Sequence, residues 1–181
     1  MKYYTGVGSR KTPPGIIKII EELAIQLRDK GFTLRSGHAP GADLAFETGA
    51  NGQADIYLPW NNFNVEFPVI GQQCVKNNVN ASIVLETVLK KHLDTQHFQN
   101  ICKGKHWIKL LHTRNVYQVL GHEQTPFPSD FLVCWAPPSG KLQVQGGTNT
   151  AVLVAYEYKV PIYNLFYETR EKTLREKIEQ L

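Results

Sequence analysis

No stretch of this sequence stays apolar for the roughly 18–20 residues a membrane-spanning helix needs, and mean hydropathy is −0.30. Cysteine is scarce. Cys74, Cys102 and Cys134 are odd in number and far apart, which argues against a disulfide framework and fits reduced thiols. The first residues, Met1-Lys2-Tyr3-Tyr4-Thr5-Gly6, run directly into a strand pattern without a secretory leader, so a cytoplasmic location is expected. The histidines at 38, 92, 97, 106, 112 and 122 lack metal-ligand spacing, and neither His-Glu-x-x-His nor Cys-x-x-Cys occurs. No metal and no cofactor are expected. A Gly-x-Ser-x-Gly nucleophile elbow and a Walker loop are also missing.

Negative charge is thin in one region. From Lys90 to Arg114, six cations (Lys90, Lys91, Lys103, Lys105, Lys109, Arg114) face the single acid Asp94. That segment carries +5 of a net +4, leaving about −1 for the rest of the chain. A local basic stretch suits an anionic ligand or nucleic acid, and its plainer reading is a solvated helix face.

What is present is a length of 181 residues with 42% hydrophobic side chains, enough for one domain with a substantial core. Lys2 to Gly8 reads as a strand, and Pro13-Pro14 opens a helix carrying Ile16, Ile17, Ile20, Leu23, Ala24 and Leu27 at helical spacing. Strands at 32–35 and 55–59 flank a short helix at 42–50, which implies crossover connections and a parallel sheet. Residues 61–80 read as an irregular excursion, and 82–92 and 97–120 as helices. Asp130 to Trp135 reads as a buried central strand, 148–158 as a helix, 160–166 as a last strand and 168–181 as a charged amphipathic helix. The expectation is one α/β Rossmann-like domain over 1–181. Its central sheet is mainly parallel and flanked by helices, and an irregular or helical insertion spans about 61–125.

Chemistry concentrates at two strand-to-helix junctions. Ser36-Gly37-His38-Ala39-Pro40-Gly41-Ala42-Asp43 joins a strand to the 42–50 helix, and Gly146-Gly147-Thr148-Asn149-Thr150 precedes the 148–158 helix. Glycines there admit close approach of a ligand, and free N–H groups at a helix start receive phosphate or carboxylate. Either motif alone is equally a helix cap; together they can hold two parts of one ligand at the carboxyl edge of a sheet. Gly6-Val7-Gly8-Ser9-Arg10-Lys11 begins like a dinucleotide fingerprint but lacks its third glycine. The second strand ends in Arg35-Ser36 rather than an acid, which disfavours an NAD-dependent dehydrogenase.

Arg10 follows the first glycine turn. Arg114 and Gln118 share a helix face next to Asn115, a guanidinium-and-amide set suited to phosphate and base recognition, or equally to a buried ion pair or cap. Asp43 and Glu47 lie four apart on one face. Asp43 and Glu47 are both weak catalytic candidates; Asp43 is also placed for ribose contact, with helix capping as its alternative, and Glu47 reads otherwise as a surface or supporting residue. Trp60 is placed to stack on a base or, with Phe63 and Phe67, to pack a hydrophobic loop; Cys134 reads as core.

Gly8-Ser9-Arg10, Ser36 to Asp43, Tyr57-Leu58-Pro59-Trp60 and Gly146-Gly147-Thr148, in that order, resemble the SLOG superfamily. That group includes DprA-like DNA-processing proteins, LOG phosphoribohydrolases and YpsA-like proteins. Arg114-Asn115-Val116-Tyr117-Gln118-Val119-Leu120-Gly121 is similar to a stretch of the YpsA-like, often phage-encoded, members. The resemblance covers residues 3 to about 166. It implies a Rossmann-like fold whose glycine-rich edge binds nucleotides, with Gly8, Ser9, Arg10, Ser36, Gly37, His38, Ala39, Gly41, Ala42, Asp43, Arg114, Asn115, Gln118, Gly146, Gly147, Thr148, Asn149 and Thr150 at the site.

In the LOG loop pattern Pro-Gly-Gly-x-Gly-Thr-x-x-Glu, this chain has Gln145 for the proline, Asn149 for the third glycine and Leu153 for the catalytic glutamate. Losing that carboxylate removes a group able to stabilise a ribosyl cation or activate water. The resulting expectation is binding, sensing or sequestration of a phosphorylated nucleotide-derived molecule, such as an ADP-ribose-type or cyclic-nucleotide signal, by a protein that leans away from catalysis. The alternatives are a nucleotide N-glycosidase of phosphoribohydrolase type and a DprA-like single-stranded DNA binder. Association into a homo-oligomer is also expected from the resemblance.

Overall fold

The structure is a computed structural model that describes residues 1–75, 79–122 and 125–181. Five strands follow the anticipated order: β1 (Lys2–Gly8), β2 (Phe32–Ser36), β3 (Ala54–Leu58), β5 (Phe131–Trp135) and β6 (Ile162–Asn164). They alternate with α1 (Pro14–Asp29), α2 (Ala42–Ala50) and α6 (Thr148–Glu157), and α7 (Glu168–Glu179) closes the chain. A further strand, β4 (Gln72–Val75), completes a six-stranded sheet in the order β4-β3-β2-β1-β5-β6, and every pairing is parallel. This is the Rossmann-like α/β architecture the alternation of strands and helices predicts. The order reverses at β1, which lies between β2 and β5, so the topological switch point is the β1/β5 edge.

β4 falls inside the segment the sequence reads as irregular. It is a short edge strand with Gln72 and Gln73 exposed and Cys74 buried, and two successive glutamines give it no hydrophobic alternation to read. Positions 76–78 of that excursion, and 123–124 of the expected insertion, lie outside the described residues. The helix anticipated over 97–120 is two helices, α4 (Thr95–Cys102) and α5 (His106–Leu120), preceded by α3 (Val79–His92). The break falls at Gly104, where a β-carbon would collide with the Asn100 carbonyl oxygen; only glycine lets the chain turn back so tightly.

The period-2 pattern of the central strands sorts side chains into two cores. Tyr4, Phe131 and Val133 pack with Ile20, Leu23 and Leu27 of α1, Phe46 of α2 and Leu174 and Ile178 of α7. Val7, Leu132 and Cys134 point the other way, against Leu85 and Leu89 of α3, Val116 and Val119 of α5 and Leu153 of α6. Burial pushes the Cys134 thiol up to about 12, which suits a core residue and not a nucleophile. The glycines of the first turn serve this packing: a β-carbon on Gly6 would sit 2.6 Å from the Phe46 ring, and one on Gly8 2.6 Å from Ala42 Cβ. They let α2 lie directly on β1, and that contact brings the Ser36–Asp43 turn beside the end of β1.

Candidate functional site

β1 and β5 end level with each other, Gly8 opposite Trp135, and the Ser9 N–H donates to the Trp135 carbonyl at 2.9 Å. Above that edge opens a cavity of about 600 Å³. Its walls come from five places: the 7–11 turn, Ala39 and Asp43 at the start of α2, one face of α5, the end of β5 with Pro137, and the 145–148 turn with Ala151. Of the expected site residues, Gly8, Ser9, Arg10, Ala39, Asp43, Arg114, Asn115, Gln118, Gly146, Gly147 and Thr148 line it together.

The remaining expected residues stand behind this lining, each with a structural partner. Ser36 Oγ donates to the Gly6 carbonyl at 2.6 Å, and the Gly37 carbonyl accepts from Arg114 at 2.8 Å. Gly41 has φ +88° and passes so near Ser9 and Arg10 that a β-carbon would lie 2.6 Å from the Ser9 carbonyl oxygen. The Ala42 N–H donates to that same oxygen at 3.4 Å, so the chain itself meets the first turn of α2. Asn149 Oδ1 accepts from the Val144 N–H and steadies the loop before α6, and the Thr150 hydroxyl lies 2.6 Å from His112 Nδ1.

His38 and Glu47 form a buried unit of their own. His38 holds a left-handed φ of 60°, its Nδ1 lies 2.7 Å from Glu47 Oε2, and its Nε2 donates to the Phe67 carbonyl at 3.1 Å. Asn64 donates to the His38 carbonyl, and the Ile70 N–H donates to the other Glu47 oxygen. The strained backbone persists because these four contacts fix it. The reading of Glu47 as a surface or supporting residue is thereby narrowed: it is fully buried and anchors the loop after β3. Trp60 packs edge-on against Phe63 in that loop, with ring centroids 5.3 Å apart, and takes no part in the cavity wall.

On the cavity floor, Asp43 accepts from the N–H groups of Gly8 at 3.1 Å and Ala39 at 3.4 Å, tying the end of β1 to the entrance of α2. Burial raises its pKa to about 6, against the lowering pull of Arg114 and the two N–H donors. Arg114, also desolvated, has its pKa lowered by burial, raised by Asp43 and lowered by nearby Arg10. Its guanidinium donates to the Gly37 carbonyl and, at 3.2 Å, to Asn115 Oδ1, while Nε has no partner. Asn115 spends its amide N–H on the Gly147 carbonyl at 2.8 Å. Gln118 is 0% exposed, and neither its Oε1 nor its Nε2 has a hydrogen-bond partner. His112 is held neutral, burial and Arg114 pushing its pKa down to about 4.

The aromatic and apolar wall was not anticipated. Trp107, Ile108 and Leu111 of α5, Trp135 at the end of β5, and Pro137 line the cavity opposite the polar floor. The signal existed in the spacing: positions 107, 111, 114 and 118 make one helical stripe that turns from apolar to polar along its length. The rim carries the exposed cations Arg10 and Lys11, and the start of α6 has no side-chain cap. With Asp43 engaged by backbone donors, the cavity is a cationic, partly aromatic pocket, chemistry suited to an anion joined to a planar group.

The lysines of the basic stretch lie elsewhere. Lys91 pairs with Glu157 at 2.8 Å, and Lys103 and Lys109 pair with Glu86 at 3.1 and 2.6 Å. Only Arg114 of the six cations between 90 and 114 reaches the cavity. Leu153, where the LOG pattern has its glutamate, is fully buried in the core. Among the described residues no group of three His, Cys, Asp or Glu side chains could hold a metal ion, and no helix is long and apolar enough to cross a membrane.

Fold and cavity together define a doubly wound, all-parallel α/β protein with its pocket at the switch point. Among solved structures, the chain is similar to DNA processing protein A from Helicobacter pylori, described for its single-stranded DNA binding mode. The likeness spans 99% of this chain and 79% of that one, with a TM-score of 0.55 and 15% sequence identity, which is a likeness of fold. No protein-family model and no curated protein sequence matches the chain.

Proposed function

We propose that this chain binds a phosphorylated nucleotide unit in the β1/β5 cavity. The observation that carries the reading is the pairing of an unpartnered buried amide, Gln118, with the cations Arg10 and Arg114 in one cavity of nucleotide size. In this reading the uncapped start of α6 and Arg10 take phosphate, and Trp107 or Trp135 lies against the base. Glycosidic cleavage by a LOG-type glutamate has no counterpart here, so the ligand is held rather than cut. A free nucleotide-derived signal, sensed or sequestered by single or paired subunits as in YpsA-like or phage-encoded proteins, is one form such a ligand takes.

The second form is single-stranded DNA, and the fold comparison favours it over the small molecule because the structural neighbour is a single-stranded DNA binder. Exposed Arg10, Lys11 and Trp107 (50% exposed) at the rim suit a strand whose nucleotide enters the pocket. Native mass spectrometry of protein purified from cells, followed by release of any adduct, separates the two. An intact nucleotide-sized adduct supports the small molecule. Salt-sensitive binding of a labelled oligonucleotide by adduct-free protein supports the strand. Finding neither defeats the proposal.

A further inference from the structure

Three polar atoms at the cavity floor lack partners, and all belong to one turn of α5: Arg114 Nε, Gln118 Nε2 and Gln118 Oε1. Their residues line the cavity, and both crowd over Gly37, whose missing β-carbon makes room for them. A Gly37 β-carbon would lie 2.8 Å from Arg114 Nε and would overlap Gln118 Nε2. Buried amides rarely go unpaired in a folded protein, since each forgoes its hydrogen bonds to water and gains none in return. The neighbouring groups are already engaged: Asn115 by Gly147 and Arg114, and Asp43 by Gly8 and Ala39. A ligand edge that reaches this floor would supply the missing partners.

The inventory of that edge is fixed by chemistry. Arg114 Nε offers one donor, and the Gln118 amide offers a donor and an acceptor side by side, whichever way the amide is turned. The complement is an edge with two acceptors and one donor. Uracil and thymine carry O2, N3–H and O4; cytosine carries O2, N3 and the 4-amino group. On the same Watson–Crick edge guanine shows O6, N1–H and the 2-amino group, the reverse count, and adenine shows only the acceptor N1 beside its 6-amino group. Among these Watson–Crick edges only a pyrimidine's occupies all three atoms at once.

We infer that the Arg114–Gln118 turn is the base-reading element of the cavity and that it selects a pyrimidine nucleotide. The inference rests on the nucleotide-binding reading above. It is indifferent to whether the pyrimidine arrives as a free nucleotide or within a single strand.

Calorimetric titration of the full chain with UMP, CMP, AMP and GMP, and in parallel with oligo-dT and oligo-dA, tests it. One unmatched base hydrogen bond corresponds to a preference of about ten-fold or more for the pyrimidines. Tighter binding of UMP or CMP than of dT oligomers assigns the pocket to a free nucleotide; the opposite ranking assigns it to the strand. Gln118→Glu leaves one donor and two acceptors, the complement of guanine, so it should turn the preference toward GMP. Gln118→Met should flatten discrimination while a folded thermal transition persists. Equal affinity for all four nucleotides, or a Gln118→Glu variant that folds and keeps the wild-type ranking, overturns the inference and leaves the pocket reading standing. Absence of any binding overturns both.

Discussion

At the scale of single residues, the floor of the cavity is held by a carboxylate in an unfavourable place. Asp43 is buried beside Arg114, and burial raises its pKa to about 6 from a model-peptide value near 3.8. Between those two values the folded protein holds a proton that the unfolded chain has released, so stability falls as pH rises through this window. Asp43→Asn removes that titration. The stability of the native chain minus that of the variant should therefore decline by about 2 kcal/mol from pH 4 to pH 7, read by urea unfolding at each pH. A difference that stays flat would mean that Asp43 is not desolvated as its surroundings imply. The sequence placed Asp43 correctly in the first turn of α2 but could not show its burial, because burial depends on α5 arriving from seventy residues away to cover it. The same holds for Gln118. Its shared face with Arg114 was legible from spacing; its lack of partners was not.

At the scale of elements, α2 sits on β1 because glycines 6 and 8 have no side chains to keep it off. Gly6→Ala forces a β-carbon into the Phe46 ring and should cost about 1–3 kcal/mol of stability. Gly15→Ala, in the first turn of α1 with open space around it, should instead stabilise by up to about 1 kcal/mol. Opposite signs for one chemical change, measured by thermal unfolding, would check that packing rather than backbone freedom sets the role of Gly6. The loop after β3 depends on the buried His38–Glu47 pair. His38→Ala leaves Glu47 buried without its partner and should destabilise by about 3–5 kcal/mol. Limited proteolysis should then cut within 60–71, where the native chain resists. Strands β1, β2, β3 and β5 and helices α1 and α2 were legible because apolar periodicity and proline or glycine punctuation agree there. β4 was not, since a four-residue edge strand that opens on two exposed glutamines shows no apolar alternation. The division between α4 and α5 was marked by Gly104, but continuous helical propensity on both sides hid it.

At the scale of the whole molecule, a parallel sheet whose order reverses at β1 opens a crevice at one edge, and helix α5 lines it with a stripe that runs from tryptophan to glutamine. The architecture was predictable from alternating strands and helices. The cavity's aromatic wall was not, because Trp107 and Trp135 lie on separate elements that only the fold brings together. Charge, too, is organised at this scale: three of the six cations of the basic stretch pair with Glu86 and Glu157 away from the cavity, so net charge along the sequence overstates the field at the pocket. Binding of a nucleotide unit through Arg114 is the property proposed for the β1/β5 cavity. Its most direct measurement is a calorimetric titration of UMP, and separately of oligo-dT at low salt, into the native chain and into Arg114→Met. Saturable binding with one site per chain is expected for at least one of these ligands, weakened about ten-fold or more by loss of the charged hydrogen bonds in the variant. Binding of equal strength to both proteins, or to neither, would contradict it.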